Sequence, residues 1–168
     1  MSTDGVIYNG LKIAYKDYFN FLEYLHHKKL VYFNYITYKV ISDDEDESTI
    51  IRIHVGDIIE IEVENEGTSY AIVKAIFLHT YNNDKTYPFY FVNWFEKVKG
   101  KNGFDTLMMC QKYKICTERE RYLNIFSISL VTSMPKTHFV HQCADNCLIG
   151  GHDLSQPYLL NEFFYNVI

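Results

Sequence analysis

The clearest pattern along the chain is the alternation over residues 58–64, where Ile59, Ile61 and Val63 interleave with Glu60, Glu62 and Glu64. A period of two, with one apolar side and one acidic side, predicts a half-buried strand. Val55-Gly56-Asp57 leads into it as a turn, and Asn65-Glu66-Gly67 follows it as another. Residues 70–79 are then mostly apolar, with Lys74 as the one charge, and Asn82-Asn83-Asp84 interrupts before a third apolar run over 88–95 that ends in Asn93-Trp94-Phe95. Three strands in succession with short polar connections predict a small antiparallel meander.

The flanking segments are placed relative to that meander. Upstream, Tyr15, Tyr18, Phe19, Leu22 and Leu25 recur near the helical period, which predicts a short amphipathic helix over 15–25. It would close at His26-His27-Lys28-Lys29, where cations suit the negative end of the helix dipole. Residues 1–10 read as a tail. Residues 30–41, rich in Tyr, Phe, Ile, Val and Thr, predict one strand with Tyr32, Ile36 and Tyr38 on one side and Phe33, Tyr35 and Thr37 on the other, both faces partly covered. Downstream, 97–103 is a charged surface loop, and 104–116 follows no single pattern. Over 122–131, Phe126, Ile128 and Leu130 alternate with Ile125, Ser127 and Ser129, a further strand. Pro135 breaks the chain before a short strand over 137–142, then 148–157 is a loop containing Gly150-Gly151, and 163–168 reads as a closing strand. The last residues are apolar, as expected of a strand tied into a sheet or of a fragment ending at a domain edge. The expected architecture is mainly β: residues 1–29 as tail and short helix packed on a single β domain of 30–168, an antiparallel sheet or barrel.

Composition narrows the function. A chain of 168 residues has room for one domain with a substantial core. The net charge of −5 disfavours direct DNA binding, which needs several cations against phosphates, and favours a basic partner. Two acidic features are candidates for that attraction, the run Asp43-Asp44-Glu45-Asp46-Glu47 and the face formed by Glu60, Glu62 and Glu64. Both also read as ordinary solvated surface. No stretch is long and apolar enough to predict a membrane span, and the N-terminus has no signal-peptide pattern. Four cysteines, Cys110, Cys116, Cys143 and Cys147, are too few to staple a chain of this size, which predicts a reduced, intracellular setting.

Several of these elements resemble the bromo-adjacent homology (BAH) domain, a β-rich module of chromatin proteins. They are Val55-Gly56-Asp57, then Tyr70-Ala71-Ile72-Val73-Lys74-Ala75-Ile76, then Trp94-Phe95 closing the third strand. Asn124-Ile125-Phe126-Ser127 is similar to a later strand of the family with a shortened middle, and His138-Phe139-Val140-His141 and Glu162-Phe163-Phe164-Tyr165 are similar to its last two elements. The resemblance covers residues 30–168. The spacing of Tyr35 and Tyr38 is similar to the variety found in the largest subunit of the origin recognition complex. What the resemblance implies is a nuclear, non-enzymatic interaction module that binds histone tails or nucleosomes alongside other chromatin proteins.

The resemblance also implies a ligand site. Family members that read methylated lysine do so with an aromatic cage, and residue-by-residue matching puts Tyr70 and Trp94 on two of its walls. Each wall contributes about 0.5–2 kcal/mol through cation–π attraction. A third wall is absent at the matching positions, which hold Lys97 to Gly100 and Ser127 or Ile128; Tyr113 or Tyr122 would have to supply it. The plainer reading is that Tyr70 and Trp94 pack in the core.

A second constellation reads His138-Phe-Val-His141-Gln-Cys143-Ala-Asp-Asn-Cys147-Leu-Ile-Gly-Gly-His152. Cys143, Cys147 and His152 with one further histidine would make the four N/S ligands that tetrahedral zinc prefers, giving a zinc-stabilised structural domain as the alternative function. Buried thiols and loop histidines are the plainer reading, and no metal or other cofactor is expected. His26 and His27 are adjacent on the expected helix and point apart, a poor metal pair. Cys143 beside His141 is the one nucleophile-like pair, with no third group to orient it and no phosphate loop, Gly-x-Ser-x-Gly or His-Glu-x-x-His motif, so no catalysis is expected.

Overall fold

The computed structural model describes residues 3–21, 24–26, 29–41, 48–63, 67–100, 104–105, 110–116, 124–128, 136–141 and 157–161. In chain order the elements are α1 (Thr3–Phe19), β1 (Leu30–Phe33), β2 (Tyr35–Ile41), β3 (Ser48–His54), β4 (Ile58–Val63), β5 (Gly67–Thr80), β6 (Thr86–Lys97), β7 (Phe104–Asp105), β8 (Cys110–Ile115), β9 (Ile125–Ser127), β10 (Lys136–Thr137), β11 (Phe139–His141) and β12 (Tyr158–Leu160). The chain is mainly β with one N-terminal helix.

The expected meander is β4-β5-β6, paired antiparallel throughout. Its turns follow local chemistry. Gly56 takes φ +98° in the turn before β4, a conformation that glycine adopts without steric cost. Asp84 takes φ +62° between β5 and β6, in a turn where Asn83 Oδ1 accepts the Lys85 N–H. One β-bulge lies between Val73 and Ala75, and it shifts the parity of β5 so that Val73 and Ile76 both point to the same side. That shift, together with cover on both faces, explains why 70–79 is an apolar run rather than an alternation.

The sheet order is β10-β4-β5-β6-β8-β12-β11. Only His138 separates β10 from β11, so the two ends of that order meet in one segment and the sheet curls round on itself as a barrel. Inside lie Phe95, Tyr113 and Phe139, with Ile58, Tyr70, Ile72, Ile115, Tyr158 and Leu160 around them. The outer face of β4-β5-β6 is covered by the β2-β3 hairpin: Ile51 and Ile53 pack with Ile59, Ile61, Ala71, Val73, Val92 and Trp94. Helix α1 covers the far end of β5 and β6 through Ile7, Leu11, Ala14 and Tyr15 against Phe77 and Phe89.

Several expectations need correction. The helix begins at Thr3, not near residue 15, and ends at Phe19. The apolar stripe of Ile7, Leu11, Ala14, Tyr15 and Tyr18 is helical in spacing, but Gly5 and Gly10 disguise its first half as a tail. Gly10 has a packing reason: a Cβ there would stand 2.8 Å from Cδ1 of the buried Ile125. Asn20, at φ +54°, caps the helix in the left-handed conformation and donates its N–H to Lys16 O. Residues 30–41 form two strands broken at Asn34; β1 joins β5, whereas β2 joins β3. Val31, Tyr32, Phe33 and Tyr35 are exposed, and only the even-numbered side of β2 is half-buried, so the segment is not covered on both faces. β3 and β12 stand where no strand was expected. The patternless 104–116 segment contributes β7 and β8, and 137–142 is split by His138. The acidic run 43–47 and the expected closing strand 163–168 lie outside the described residues, as does the 148–157 loop apart from Pro157.

Candidate functional site

The register of β4, β5 and β6 decides what becomes of the two expected cage residues. Trp94 is paired with Ala71, whereas Tyr70 is paired with Phe95. Cross-strand partners share a face and neighbours along a strand alternate, so Tyr70 and Trp94 stand on opposite sides of the sheet. Trp94 is 4% exposed, with its ring 5.2 Å from that of Phe126 at 83°, in the core between the barrel and the β2-β3 hairpin. A cage with walls from both residues is therefore ruled out, and Trp94 is a core residue. Ser127 and Ile128 are buried too and supply no wall.

Tyr70 is one of the half-buried residues of the barrel interior. Its ring meets Tyr113 at 5.7 Å and 90°, and Phe139 at 5.4 Å and 70°. Tyr113, offered by the sequence as a wall from an unaligned segment, thus stands square to Tyr70; Tyr122 lies outside the described residues. Its placement was legible in principle, because Tyr113 and Ile115 alternate with Lys112 and Lys114 along β8. Tyr70 and Tyr113, with Phe95, border an open cleft of about 270 Å³ at one end of the barrel, lined also by Thr68, Ser69, Glu96, Lys97 and Lys99.

The acidic stripe of β4 belongs to the same face. Glu60 is the cross-strand partner of Tyr70, and Glu62 is the partner of Thr68. Lys97 is the partner of Tyr113 and so points to that face from β6. Glu96, which also lines the cleft, is already engaged, accepting the Cys116 Sγ–H at 3.2 Å and pairing with Lys114 at 3.7 Å. Glu60, Glu62, Lys97 and Lys99 form no ion pair among the described residues. The mouth thus sets perpendicular aromatic rings beside two ammonium groups that line the cleft, with the two carboxylates on the same face of the sheet one strand away on β4, outside the cleft's lining.

Asp57 ties the barrel closed behind this site. Its carboxylate meets Lys136 Nζ at 2.9 Å and His54 Nδ1 at 3.5 Å, and it accepts the His54 N–H at 2.8 Å. Partial burial acts to raise the Asp57 pKa, but the Lys136 ammonium and the His54 contacts outweigh it and hold the carboxyl below its usual value. A folded-state pKa below the unfolded one contributes stability above the unfolded value of about 3.9 and loses it as pH falls through the folded one. Asp57→Ala is expected to cost about 1–2 kcal/mol at neutral pH. Urea melts of both proteins at several pH values check this: the gap from wild type should shrink only below about pH 4, and a gap constant down to strong acid would remove the Asp57 charge as its source.

The metal-ligand candidates Cys143, Cys147 and His152 lie outside the described residues, as does His27. Of the neighbouring histidines, His138 is exposed and contacts Asn161 Nδ2 at 3.2 Å, and His141 sits beside the Tyr158 ring at 4.6 Å. Among the described residues no three His, Cys, Asp or Glu side chains cluster as a metal site, and no helix is long and apolar enough to cross a membrane. No protein-family model, curated protein or solved structure matches this chain. What fold and site define is a class: a mainly β domain whose closed antiparallel sheet carries an aromatic and charged cleft at one end.

Proposed function

We propose that the chain is a nuclear, non-enzymatic interaction module of the BAH type, which holds a basic peptide such as a histone tail at the barrel mouth. One lysine, methylated or plain, rests against the half-buried Tyr70, which the buried Tyr113 backs edge-on, while Glu60 and Glu62 orient the basic chain. The observation that carries this reading is the pairing of Glu60 with Tyr70 on the face where Tyr113 meets Tyr70 at 90°. An acid beside perpendicular rings is an arrangement that attracts an ammonium group by charge and by ring quadrupole together. With Trp94 committed to the core, the site has fewer exposed rings than a full cage, so discrimination between methylation states is expected to be modest. Other chromatin proteins are the remaining class of partner, and direct DNA binding is weak or absent at a net charge of −5.

The test is titration of unmodified and mono-, di- and trimethylated histone-tail peptides by calorimetry against wild type, Tyr70→Ala and Glu60→Gln. Tyr70→Ala is expected to weaken binding about 5- to 30-fold, the equivalent of about 1–2 kcal/mol, with the fold retained. Glu60→Gln should weaken it less, and chiefly at low salt. A wild-type protein that binds none of the peptides, or a folded Tyr70→Ala that binds them as wild type does, would overturn the proposal.

A further inference from the structure

A cleft meant only for a cationic tail has no use for two lysines. Yet Lys97 and Lys99 line this one, and neither forms an ion pair among the described residues. Lys97 lines the cleft from β6, and Glu60 and Glu62 stand on the same face of the sheet from β4, beside the cleft, with β5 between them. Two inter-strand spacings separate the acidic flank from the basic flank by roughly 10 Å at the backbone, with the Tyr70 ring in the middle. A ligand carrying only positive charge would satisfy one flank and leave like charges facing on the other.

Building on the reading of this mouth as a peptide site, we infer that its ligand is bipolar: a lysine with a carboxylate or phosphate two or three residues away. The lysine lies on Tyr70 between Glu60 and Glu62, and the anion reaches Lys97 and Lys99. An extended chain advances about 3.3 Å per residue, so two or three residues plus the reach of the side chains span the mouth. Four charged groups that form no ion pair among the described residues thereby gain partners in one binding event. The anion also excludes a run of uniformly basic sequence as the preferred ligand, because such a run places ammonium groups against Lys97 and Lys99.

The test uses the whole chain and four peptides of one basic sequence: lysine alone, lysine with glutamate two residues on, lysine with phosphoserine two residues on, and lysine with glutamate eight residues on. Each is titrated into wild type and into a Lys97→Gln/Lys99→Gln double variant, whose exposed substitutions leave the fold intact as checked by thermal melting. The near-anion peptides are expected to bind wild type about 5- to 10-fold more tightly than lysine alone, an advantage the distant glutamate lacks and the double variant abolishes. The double variant should bind the lysine-only peptide at least as well as wild type does. Glutamate and phosphoserine separate the two sources of the anion, and a gain from either supports the inference. Equal binding of the lysine-only and near-anion peptides, or an advantage that persists in the double variant, overturns it while leaving the mouth a peptide site. If none of the four binds, the underlying reading of the mouth fails with it.

Discussion

Trp94→Ala is expected to lose about 3–5 kcal/mol of stability, the cost of removing a large buried aromatic side chain. The indole packs with β3 and β4 residues on the outer face of the barrel and meets Phe126 edge-on at 5.2 Å, so its removal empties the seam that joins the β2-β3 hairpin to the sheet. With total stability of typical domains at about 5–15 kcal/mol, the variant should be marginally folded. Trp94→Phe should retain most of the stability, because it keeps the ring and the contact to Phe126. Because Trp94 is the one tryptophan, the measurement is denaturant unfolding followed by circular dichroism rather than by indole fluorescence. Any loss of peptide binding should track the unfolded fraction. A Trp94→Ala protein with an unchanged midpoint and a selective loss of ligand would return the indole to the binding site.

Tyr15→Ala is expected to have an effect of the same size, about 3–5 kcal/mol, by a different route. Tyr15 is 2% exposed and is the anchor by which α1 holds to the sheet. Its ring meets Phe19, Phe21, Tyr81, Tyr87 and Phe89 within the ordinary range of aromatic contacts. Its hydroxyl lies 2.8 Å from Nδ1 of the buried His79, a hydrogen bond between two groups that are both out of water. Burial pushes the Tyr15 phenol well above its usual pKa, so the group stays protonated across the working range of pH. Tyr15→Phe, which removes only the hydroxyl, should cost about 1–2 kcal/mol through the lost bond to His79. The alanine variant should also speed amide exchange across 3–19 relative to β4-β5-β6, because the helix loses its anchor before the sheet loses its pairing. Uniform exchange across helix and sheet would show that α1 does not detach as a unit.

Much of this could be anticipated from local pattern. The alternation over 58–64 and the turn chemistry of Val55-Gly56-Asp57 and Asn82-Asn83-Asp84 suffice to place three antiparallel strands. β3 was legible by the same rule, since Ile51 and Ile53 are buried while Arg52 and His54 are exposed, though it stands beside an acidic run that draws attention to a loop. The start of α1 was hidden by Gly10, whose lack of a side chain answers to Ile125, 115 positions further on, and not to anything in the helix. β12 pairs with β8 and β11, and nothing within its own three residues signals that.

The candidate site divides the same way. Sequence by itself determined that Tyr70 lies on a strand beside an acid-faced strand, and that the chain is mainly β with an acidic balance. Only the tertiary structure decided that Tyr70 pairs with Phe95 and not with Trp94, which sends Tyr70 and Trp94 to opposite faces, and that Tyr113 of β8 meets the Tyr70 ring edge-on. The physical reason is that alternation specifies a difference between neighbours along one strand, whereas the face each side chain shares with another strand depends on register. A shift of one residue reverses every side chain, and the register here is held by the bulge at Val73 and by closure of the barrel through β10 and β11.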